Sequence, residues 1–287
     1  MDGIILINKE TGITSFGVVS KVRRIFNIKK VGHCGTLDPE ATGVLPVMIG
    51  QATKLSKYLV EHDKEYIARV KLGIKTDTAD SEGNVIEEDN FILNAEKEAF
   101  YKETISKLVG KQKQIPPMYS AIKVNGKKLY EYARDGIEIA RAARDIEIYS
   151  IDIEHINYDG NEIVFRTKCS KGTYIRALCE SLAEAIGTIG YMKELTRTQV
   201  DNFRIEDSIK LSELENVDDK ESKVISIERL FENSSEIILN DRKIELFLNG
   251  VMLTTDCENG VYRIYNDSKF VGLGVVNDSL LKRDIIV

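Results

Sequence analysis

The sequence predicts an α+β fold: a mixed, mainly antiparallel central sheet flanked by helices and loops, followed by a small β-rich domain. Strand-like alternation and helical periodicity occur in irregular order, without the strand–helix repeat of a doubly wound sheet. A chain of 287 residues, 43% of them apolar, can bury one large core and a second small one. Residues 236–287 consist of short apolar runs separated by turn-forming pairs such as Asn249-Gly250, which is typical of a compact β module.

The elements of the first half follow from apolar periodicity and from residues that cap helices. They are a strand at 3–8, a helix capped by Thr14 or Ser15 and ending at Phe26, a strand at 44–49, a helix at 52–62, a half-buried strand at 64–73 with Tyr66 on its apolar side, and a helix from Asn94 to Gly110.

Turn and hairpin signals organise the second half. Its elements are a Pro-Pro segment, an Asn-Gly turn and a short basic helix within 114–136, a hairpin of strands at 144–158 and 162–169, a helix at 172–186, and short strands at 237–239, 261–264 and 270–276. We therefore expect a first domain over residues 1–231, with 114–136 (the basic hairpin) inserted in it, and a second domain over 236–287.

Composition limits the class of protein. The first residues hold too short an apolar run for a signal peptide, and no window approaches the roughly 18 to 20 apolar residues of a membrane span. The four cysteines lie far apart without a CxxC pair, which favours neither a disulfide framework nor a zinc knuckle. We expect a cytoplasmic protein with reduced cysteines.

Charge is distributed in alternating blocks. The net charge of −6 argues against nucleic acid as a ligand, because phosphates are bound by Lys and Arg. Residues 1–75, 111–134 and 166–204, however, carry 12 basic and 7 acidic, 6 and 1, and 7 and 4 residues, respectively. If the fold gathers these blocks on one face, an acidic chain can present a phosphate-binding surface; ordinary scatter of surface charge is the alternative.

The segment 32–43, GHCGTLDPEATG, is the first candidate for chemistry. Its three glycines permit unusual backbone geometry, and the following proline keeps Asp38 out of a helix. Such a loop can hold a carboxylate at the end of a strand, facing a cleft, and it can equally be a plain surface turn. A metal site built from His33, Cys34, Asp38 and His62-Asp63 is a weaker alternative, because no known ligand spacing is present.

Several segments together resemble the tRNA pseudouridine synthase B (TruB) family. GHCGTLDPEATGVLPV (32–47) is similar to the family signature that contains the catalytic aspartate. The other matching segments follow in family order: Asn8-Lys9 with Thr11-Gly12 and Thr14-Ser15, KEYIARVKLGIKTDTADSEG (64–83), PPMYSAIKVNGKKLYEYAR (116–134), CSKGTYIRAL (169–178) and KELTR (193–197). This resemblance covers residues 1–231. In the second domain, YRIYNDSKFVGLG (262–274) resembles, more loosely, the PUA-type RNA-binding domain of many bacterial members.

The resemblance implies a pseudouridine synthase fold and conversion of the T-loop uridine of tRNA, position 55, to pseudouridine. It implies Asp38 as the catalytic carboxylate, acting on the ribose, on the base, or as a base at the ribose C2′; these three routes stay open. The reaction has no net redox change and needs no cofactor. The expected partner is the T-arm of tRNA, bound by a monomer without an obligate protein partner and away from membranes.

The resemblance also implies roles around Asp38. Arg176 matches the arginine that pairs with the aspartate and keeps it ionised, and Tyr66 matches the tyrosine that stacks on the target base and can relay the C5 proton. His33 matches the residue that enters the stack vacated by the flipped nucleotide, while Tyr174 and Leu195 match positions that line its pocket. Candidates for phosphate contacts are Lys9, Lys21, Arg23, Lys123, Lys127 and Lys128.

Two other functions remain as alternatives. A non-catalytic RNA-binding protein or tRNA-folding chaperone could keep the same scaffold, but it would be free to lose Asp38. A guide-RNA-dependent relative would be expected to show extra docking extensions, which the sequence lacks. We therefore predict an isomerase.

Overall fold

The computed structural model describes residues 1–59 and 62–287, which form two main sheets and two short two-stranded ribbons, with helices packed around them. The strands, in chain order, are β1 Gly3–Lys9, β2 Val31–His33, β3 Thr42–Ile49, β4 Lys64–Leu72, β5 Ile74–Thr76, β6 Val85–Glu88, β7 Gly110–Gln114, β8 Lys123–Val124, β9 Lys127–Lys128, β10 Arg144–Asn157, β11 Glu162–Cys169, β12 Gly190–Val200, β13 Phe203–Arg204, β14 Ile225–Ser226, β15 Glu236–Ile238, β16 Leu253–Thr254, β17 Gly260–Asn266, β18 Lys269–Asn277 and β19 Leu280–Ile286. The helices are α1 Ser15–Phe26, α2 Ser56–Leu59, α3 Glu98–Ser106, α4 Leu129–Arg134, α5 Ile175–Ala185, α6 Leu211–Leu214, α7 Ile227–Leu230 and α8 Asp241–Leu248.

The larger sheet has ten strands in the order β14-β1-β3-β12-β4-β11-β10-β7, with β2 paired to β3 and β13 paired to β12. Within the described ranges its pairs are antiparallel except at the meeting of β3 and β12, where Thr42 lies beside Thr196 and Gly43 beside Arg197. The predicted class, α+β with a mixed and mainly antiparallel sheet, is confirmed. The strands β3, β12 and β4 are neighbours, so side chains from distant parts of the sequence meet in the middle of this sheet.

The larger sheet is covered on both faces at β1. Along β1, Ile5 and Ile7 belong to a core cluster with the apolar faces of α1, α3 and α5. Ile4 alternates with them and belongs to a second cluster, which includes Leu273 of β18 and Ile285 of β19. Alternation along a strand sends successive side chains to opposite faces, so β1 is buried on both sides.

The smaller sheet has the order β15-β17-β18-β19-β16. The larger sheet takes its strands from residues 3–226 and the smaller one from 236–286. Because the second core cluster spans both sheets, the division into domains at 231 and 236 stays a prediction.

Some predicted elements differ in extent. The helix expected from Asn94 to Gly110 is a 3₁₀ turn followed by α3, which ends at Ser106, and the chain then enters β7. The helix expected at 52–62 is a 3₁₀ segment, Gly50–Leu55, followed by α2, and residues 60–61 of that prediction lie outside the described residues. The eleven-residue strand β12 was not predicted.

A search of the described residues for a helix long and apolar enough to cross a membrane finds none.

Candidate active site

The loop of residues 34–41 joins β2 to β3 and contains Asp38. Ser15, the first residue of α1, fixes this loop: its hydroxyl donates to the Leu37 carbonyl at 3.0 Å and accepts the Leu37 amide at 2.9 Å. Thr14 caps the same helix by accepting the Gly17 amide, as the sequence predicts. The backbone next to Asp38 is therefore held, while the Asp38 side chain remains 40% exposed.

Lys9 holds the other side of the loop. Its ammonium donates to the carbonyls of Pro39 at 2.7 Å, Ala41 at 2.6 Å and Glu10 at 3.0 Å, and the residue has no exposed surface. Burial lowers the pKa of Lys9 to about 8, while the nearby carboxylates of Glu40 and Asp38 oppose that shift. The prediction that Lys9 contacts phosphate needs correction, because a buried ammonium with three carbonyl partners cannot reach a phosphate outside the protein.

Arg176 joins the loop to a second carboxylate. Its Nε lies 3.3 Å from Asp38 Oδ2, and its Nη1 lies 3.3 Å from Asp80 Oδ2. The guanidinium also donates to the carbonyls of Thr78 at 3.2 Å and Tyr119 at 2.7 Å. Arg176 is 6% exposed, so it offers Asp38 a cation that is fixed by partners on every other side.

Asp80 is a site residue to which the sequence analysis gave no role. It is 9% exposed, and its Oδ1 accepts the Thr78 hydroxyl at 2.5 Å and the Glu82 amide at 3.1 Å. Its position in an acidic loop suggested only a solvated turn. The sequence signal that could have indicated Asp80 is the match of residues 64–83 to a family segment, because Asp80 is one of the ionisable residues in that segment.

Tyr66 lies on β4 directly across from Arg197 of β12, and its ring is 9% exposed within the main core cluster. Burial raises the pKa of the Tyr66 phenol, and the positive charge of the nearby Arg197 guanidinium opposes that rise. The carboxylate of Asp38 is near enough to add to the rise. A neutral phenol therefore lies close to the Asp38 carboxylate at neutral pH.

Arg197 is a second residue whose role the sequence analysis missed. It is 1% exposed, and its guanidinium donates to the carbonyls of Val44 at 2.9 Å and Gly35 at 3.0 Å. Gly43, at φ +105°, passes so close that an added Cβ would lie 2.1 Å from the Arg197 carbonyl oxygen. The KELTR segment contains Arg197, but burial of a charged residue in the middle of a sheet could not be deduced from it.

His33 ends β2, four residues before the loop reaches Leu37. The side chain is partly buried, and among the described residues its Nδ1 has no hydrogen-bond partner. Burial lowers the pKa of His33, and the Arg197 guanidinium lowers it further, so the imidazole is neutral at neutral pH. A neutral ring is suited to stacking against bases.

Tyr174 and Leu195 are the two residues expected to line the pocket of the flipped base. Tyr174 is the N-cap residue of α5 and is partly buried. Leu195 lies on β12 opposite Ala68 of β4 and packs against the main core cluster. The prediction that α5 begins at Gly172 is early by three residues, since Gly172 has a φ of +80° and the helix begins at Ile175.

The basic hairpin forms a two-stranded ribbon, β8–β9, followed by α4. Lys123 is exposed on the ribbon, as a phosphate contact requires. Lys127 forms an ion pair with Asp135 and lies 4.8 Å from the centre of the Tyr132 ring, and Lys128 lies 5.3 Å from the centre of another tyrosine ring. Two of the three lysines of the ribbon are thus held by partners within the hairpin.

The candidate metal ligands are not brought together. Within residues 1–59 and 62–287, no group of three or more His, Cys, Asp and Glu side chains has the arrangement of a metal site. His62 instead lies 3.5 Å from Asp201. The carboxylates of Asp38 and Asp80 instead each lie 3.3 Å from a nitrogen of Arg176.

Two family models match the chain. The model described as TruB family pseudouridylate synthase (N terminal domain) matches residues 23–175, which is more than half of the 287 residues. The model of the tRNA pseudouridylate synthase B C-terminal domain matches residues 176–232. The chain belongs to the TruB family. Asp38, Tyr66 and Tyr174 lie in the N-terminal TruB match, and Arg176 is the first residue of the C-terminal one.

Relatives in the TruB family match this chain over nearly its full length. The tRNA pseudouridine synthase B of Clostridium kluyveri is 43% identical over 98% of this chain and 98% of its own length. That of Francisella philomiragia is 42% identical over 95% of this chain and 90% of its own length. Full-length similarity of this kind includes residues 236–287, which follow the two matched family models.

Solved structures with the same fold include an H/ACA RNP bound to a substrate RNA containing 2′-deoxyuridine, with a TM-score of 0.69 and 22% identity over 99% of this chain and 85% of that one. A complex from an archaeal box H/ACA sRNP has a TM-score of 0.66 with the same identity and coverage. At this identity the likeness concerns the fold alone. The predicted pseudouridine synthase fold of this TruB-family chain is confirmed.

Proposed function

We propose that this TruB-family chain is a tRNA pseudouridine synthase, which isomerises the T-loop uridine at position 55. The observation that carries the proposal is the ion pair of Asp38 with Arg176 at 3.3 Å, in the loop that resembles the family's catalytic signature. A half-exposed carboxylate backed by a buried guanidinium can reach a substrate while its orientation is held by the ion pair. A purely RNA-binding chaperone has no need of this pair, so the geometry favours catalysis.

The reaction rearranges one bond. The bond between uracil N1 and ribose C1′ breaks, the uracil turns, and a bond forms between C5 and C1′. C5 then loses its proton, and N1 ends as an N–H group, so atoms and electrons balance within the nucleotide and a proton acceptor. The chemistry asks for a carboxylate near the sugar, a group that holds the uracil, and a group that takes the C5 proton.

We assign these roles to Asp38, Arg176 and Tyr66. Asp38 acts on the ribose, on the base or at C2′, and Arg176 holds it in place and stabilises its charge. Tyr66 receives the uracil ring and relays the C5 proton. The charges of Asp38 and Arg197 both act on its phenol, so a change of charge on Asp38 during the reaction alters the proton affinity of the phenol.

A loop nucleotide must leave its stack to reach Asp38, at a cost of a few kcal/mol. We assign the vacated place in the stack to His33, whose imidazole is neutral at neutral pH. Tyr174 and Leu195 are assigned to the walls around the flipped base. Both side chains are partly buried, so each keeps surface for contact with a base.

The T-arm backbone is assigned to surfaces next to this site. On the basic hairpin, Lys123 is exposed, and Lys127 and Lys128 can exchange their internal partners for phosphates. Residues 236–287 are proposed to add a PUA-like RNA-binding surface. We propose a monomer that acts on free tRNA in the cytoplasm without a protein partner.

The test uses an unmodified tRNA transcript and a second transcript with cytidine at position 55. Pseudouridine is mapped in both by carbodiimide modification and primer extension after incubation with the full chain. We expect a single new stop at position 55 in the first transcript and none in the second. Modification at another uridine, or none at all, would refute the assignment.

A further inference from the structure

Gln114, the last residue of β7, binds the backbone of an active-site residue twice. Its Oε1 accepts the Tyr174 amide at 2.8 Å, and its Nε2 donates to the Tyr174 carbonyl at 3.0 Å. Tyr174 is the N-cap of α5, and no side chain of its own caps that helix. Gln114 therefore satisfies an amide that the helix leaves unpaired and fixes where α5 begins.

Arg176 follows Tyr174 by two residues, and the same segment of chain contacts it again. The Tyr119 carbonyl accepts the Arg176 Nη2 at 2.7 Å, the shortest of the hydrogen bonds made by that guanidinium. Gln114 thus holds the backbone from which Arg176 extends, and Tyr119 holds its end. Both contacts come from residues 114–119, which form the first part of the basic hairpin and lead to its ribbon, β8–β9.

Residues 114–119 form a stiff connection. Pro116 and Pro117 restrict the backbone between the two contacts, and Pro116 is buried, with its carbonyl accepting Arg141 Nη1 at 3.1 Å. A segment with two fixed φ angles transmits a displacement instead of absorbing it. A movement of Tyr119 is therefore also felt at Gln114.

The start of α4, which follows the ribbon in the basic hairpin, is hydrogen-bonded back to the chain just after residue 119. The Leu129 amide donates to the Ile122 carbonyl at 2.8 Å, and the Tyr130 amide donates to the Ser120 carbonyl at 3.1 Å. The ribbon between them is consequently tied to Ser120, next to Tyr119. A displacement of the ribbon would therefore reach the residues that hold Arg176.

We propose that Gln114 is a positioning residue: it couples the basic hairpin to the Asp38–Arg176 pair through the start of α5. The proposal rests on the proposed function, because it concerns the same reaction. Asp38 is 40% exposed, and Arg176 is its ion-pair partner, so the orientation of the carboxylate depends on the position of the Arg176 guanidinium. Gln114 should influence the chemical step more than the binding of tRNA.

The test compares Gln114→Ala with Gln112→Ala in single-turnover assays on tRNA. Gln112 lies on the same face of β7, and its Nε2 donates to the Leu108 carbonyl at 2.9 Å, so its loss removes a hydrogen bond without touching α5. We expect Gln114→Ala to lower the rate constant about ten- to a hundredfold with tRNA affinity changed less than about twofold. Gln112→Ala should keep the rate of the wild type.

Both changes are then made in an Arg176→Lys background. If Gln114 acts through Arg176, Gln114→Ala has little further effect there, whereas a general loss of stability would lower the rate by the same factor as before. Three outcomes would overturn this role while leaving the proposed function standing. They are fully additive effects of Gln114→Ala and Arg176→Lys on the rate, an unchanged rate for Gln114→Ala in the wild-type background, and a loss confined to tRNA affinity. A wild type that leaves uridine unmodified overturns the proposed function and this role together.

Discussion

At the scale of single residues, Asp38 depends on groups that are themselves buried. Lys9 fixes the loop of residues 34–41 through hydrogen bonds to the Pro39 and Ala41 carbonyls, and Ser15 fixes it through a hydrogen bond to the Leu37 carbonyl. Arg176 then supplies the ion-pair partner of the carboxylate. A half-exposed carboxylate gains a defined orientation in this way, while its surface remains open to a substrate.

Replacing Arg176 should affect both stability and catalysis. Arg176→Met keeps an unbranched side chain that extends as far as the arginine Nε, but it leaves Asp80, 9% exposed, without its cation. We expect the free energy of unfolding to fall by about 3 kcal/mol, as for other broken buried pairs. The rate constant should fall at least about a hundredfold.

The matched control for Arg176 is Arg166→Met. Arg166 also binds two carboxylates, Glu65 and Glu154, but its side chain is 37% exposed. Its loss should cost about 1 kcal/mol or less, with the rate unchanged. Urea unfolding and single-turnover rates check both variants, and equal losses for the two arginines would contradict the special place of Arg176.

A buried thiol makes the stability depend on alkaline pH. Burial raises the pKa of Cys169 from 9.0 to about 12. Between these values the unfolded chain loses the thiol proton and the folded chain keeps it, so stability falls as pH rises. From pH 8 to 10 this thiol should account for a loss of about 1.4 kcal/mol. Urea unfolding at pH 8 and pH 10 measures the free energy of unfolding of the wild type and of Cys169→Ala. The decrease between the two pH values should be smaller in Cys169→Ala by that amount, and an equal decrease in both proteins would contradict the prediction.

At the scale of elements, the turn between β10 and β11 shows how a loop is fixed by one side chain. Asn161 has a φ of 52°, and its Oδ1 accepts the Leu93 amide at 2.9 Å. Its Nδ2 donates to the carbonyls of Leu72 at 3.0 Å and Phe91 at 2.9 Å. One asparagine thus connects the hairpin to the end of β4 and to the loop before α3.

Asn161→Ala should therefore destabilise the protein more than a change elsewhere in the same turn. Three buried hydrogen bonds at about 1 kcal/mol each predict a loss of about 3 kcal/mol. Asn157→Ala removes one hydrogen bond, from the Gly160 amide at 3.0 Å, and should cost about 1 kcal/mol. Urea unfolding of the two variants measures the difference, and a larger loss for Asn157→Ala would contradict this account of the turn.

Elements with local signals could be predicted from the sequence, and those that depend on distant partners could not. The Thr14 cap and the alternation through Tyr66 are local, so α1 and β4 lie where they were expected. The strand β12 mixes charged and apolar residues because it crosses from an ion-pair network into the core, and no single period describes it. Its buried Arg197 was missed for the same reason.

The site was predictable to the extent that family segments name residues. Asp38 and Arg176 were expected to pair, and their side chains lie 3.3 Å apart. Asp80 lies 96 positions from Arg176, and only the fold brings them together. Lys9 was predicted as a candidate phosphate contact, whereas β1 is buried on both faces and carries the Lys9 side chain inside.

At the scale of the whole molecule, the two sheets share a core. Leu273 and Ile285 of the smaller sheet belong to one apolar cluster with Ile4 and Val44 of the larger. The Tyr58 hydroxyl also donates to Asp284 at 2.5 Å across the same boundary. A surface formed by residues 236–287 is therefore held in a fixed relation to the active site.

This shared core predicts that both sheets unfold together. Leu273→Ala should lower the free energy of unfolding by about 3 kcal/mol, because Leu273 is fully buried. Hydrogen exchange with mass spectrometry across a urea series measures β3 and β18 separately. The amides of both strands should lose protection at the same urea concentration, and this concentration should be lower in the variant than in the wild type. If the amides of β18 lost protection at a lower urea concentration than those of β3, the two sheets would unfold as independent units.

Several Lys and Arg residues of the basic blocks, residues 1–75 and 166–204, form ion pairs within the protein. Arg69 binds Glu162 and Glu194 on the outer face of the larger sheet, and Lys193 also binds Glu162. These cations are compensated within the protein. The attraction for phosphate is therefore expected to come from exposed groups such as Lys123 on the basic hairpin, not from the blocks as wholes.

The central claim is that Asp38 performs the chemical step on a uridine of tRNA. It is tested most directly with a transcript labelled with tritium at uridine C5, because isomerisation releases that tritium to water. The wild type should release one tritium per tRNA at the target site, and Asp38→Asn should release none while binding tRNA within about threefold of the wild type. Tritium release by Asp38→Asn at a rate near that of the wild type would contradict the account.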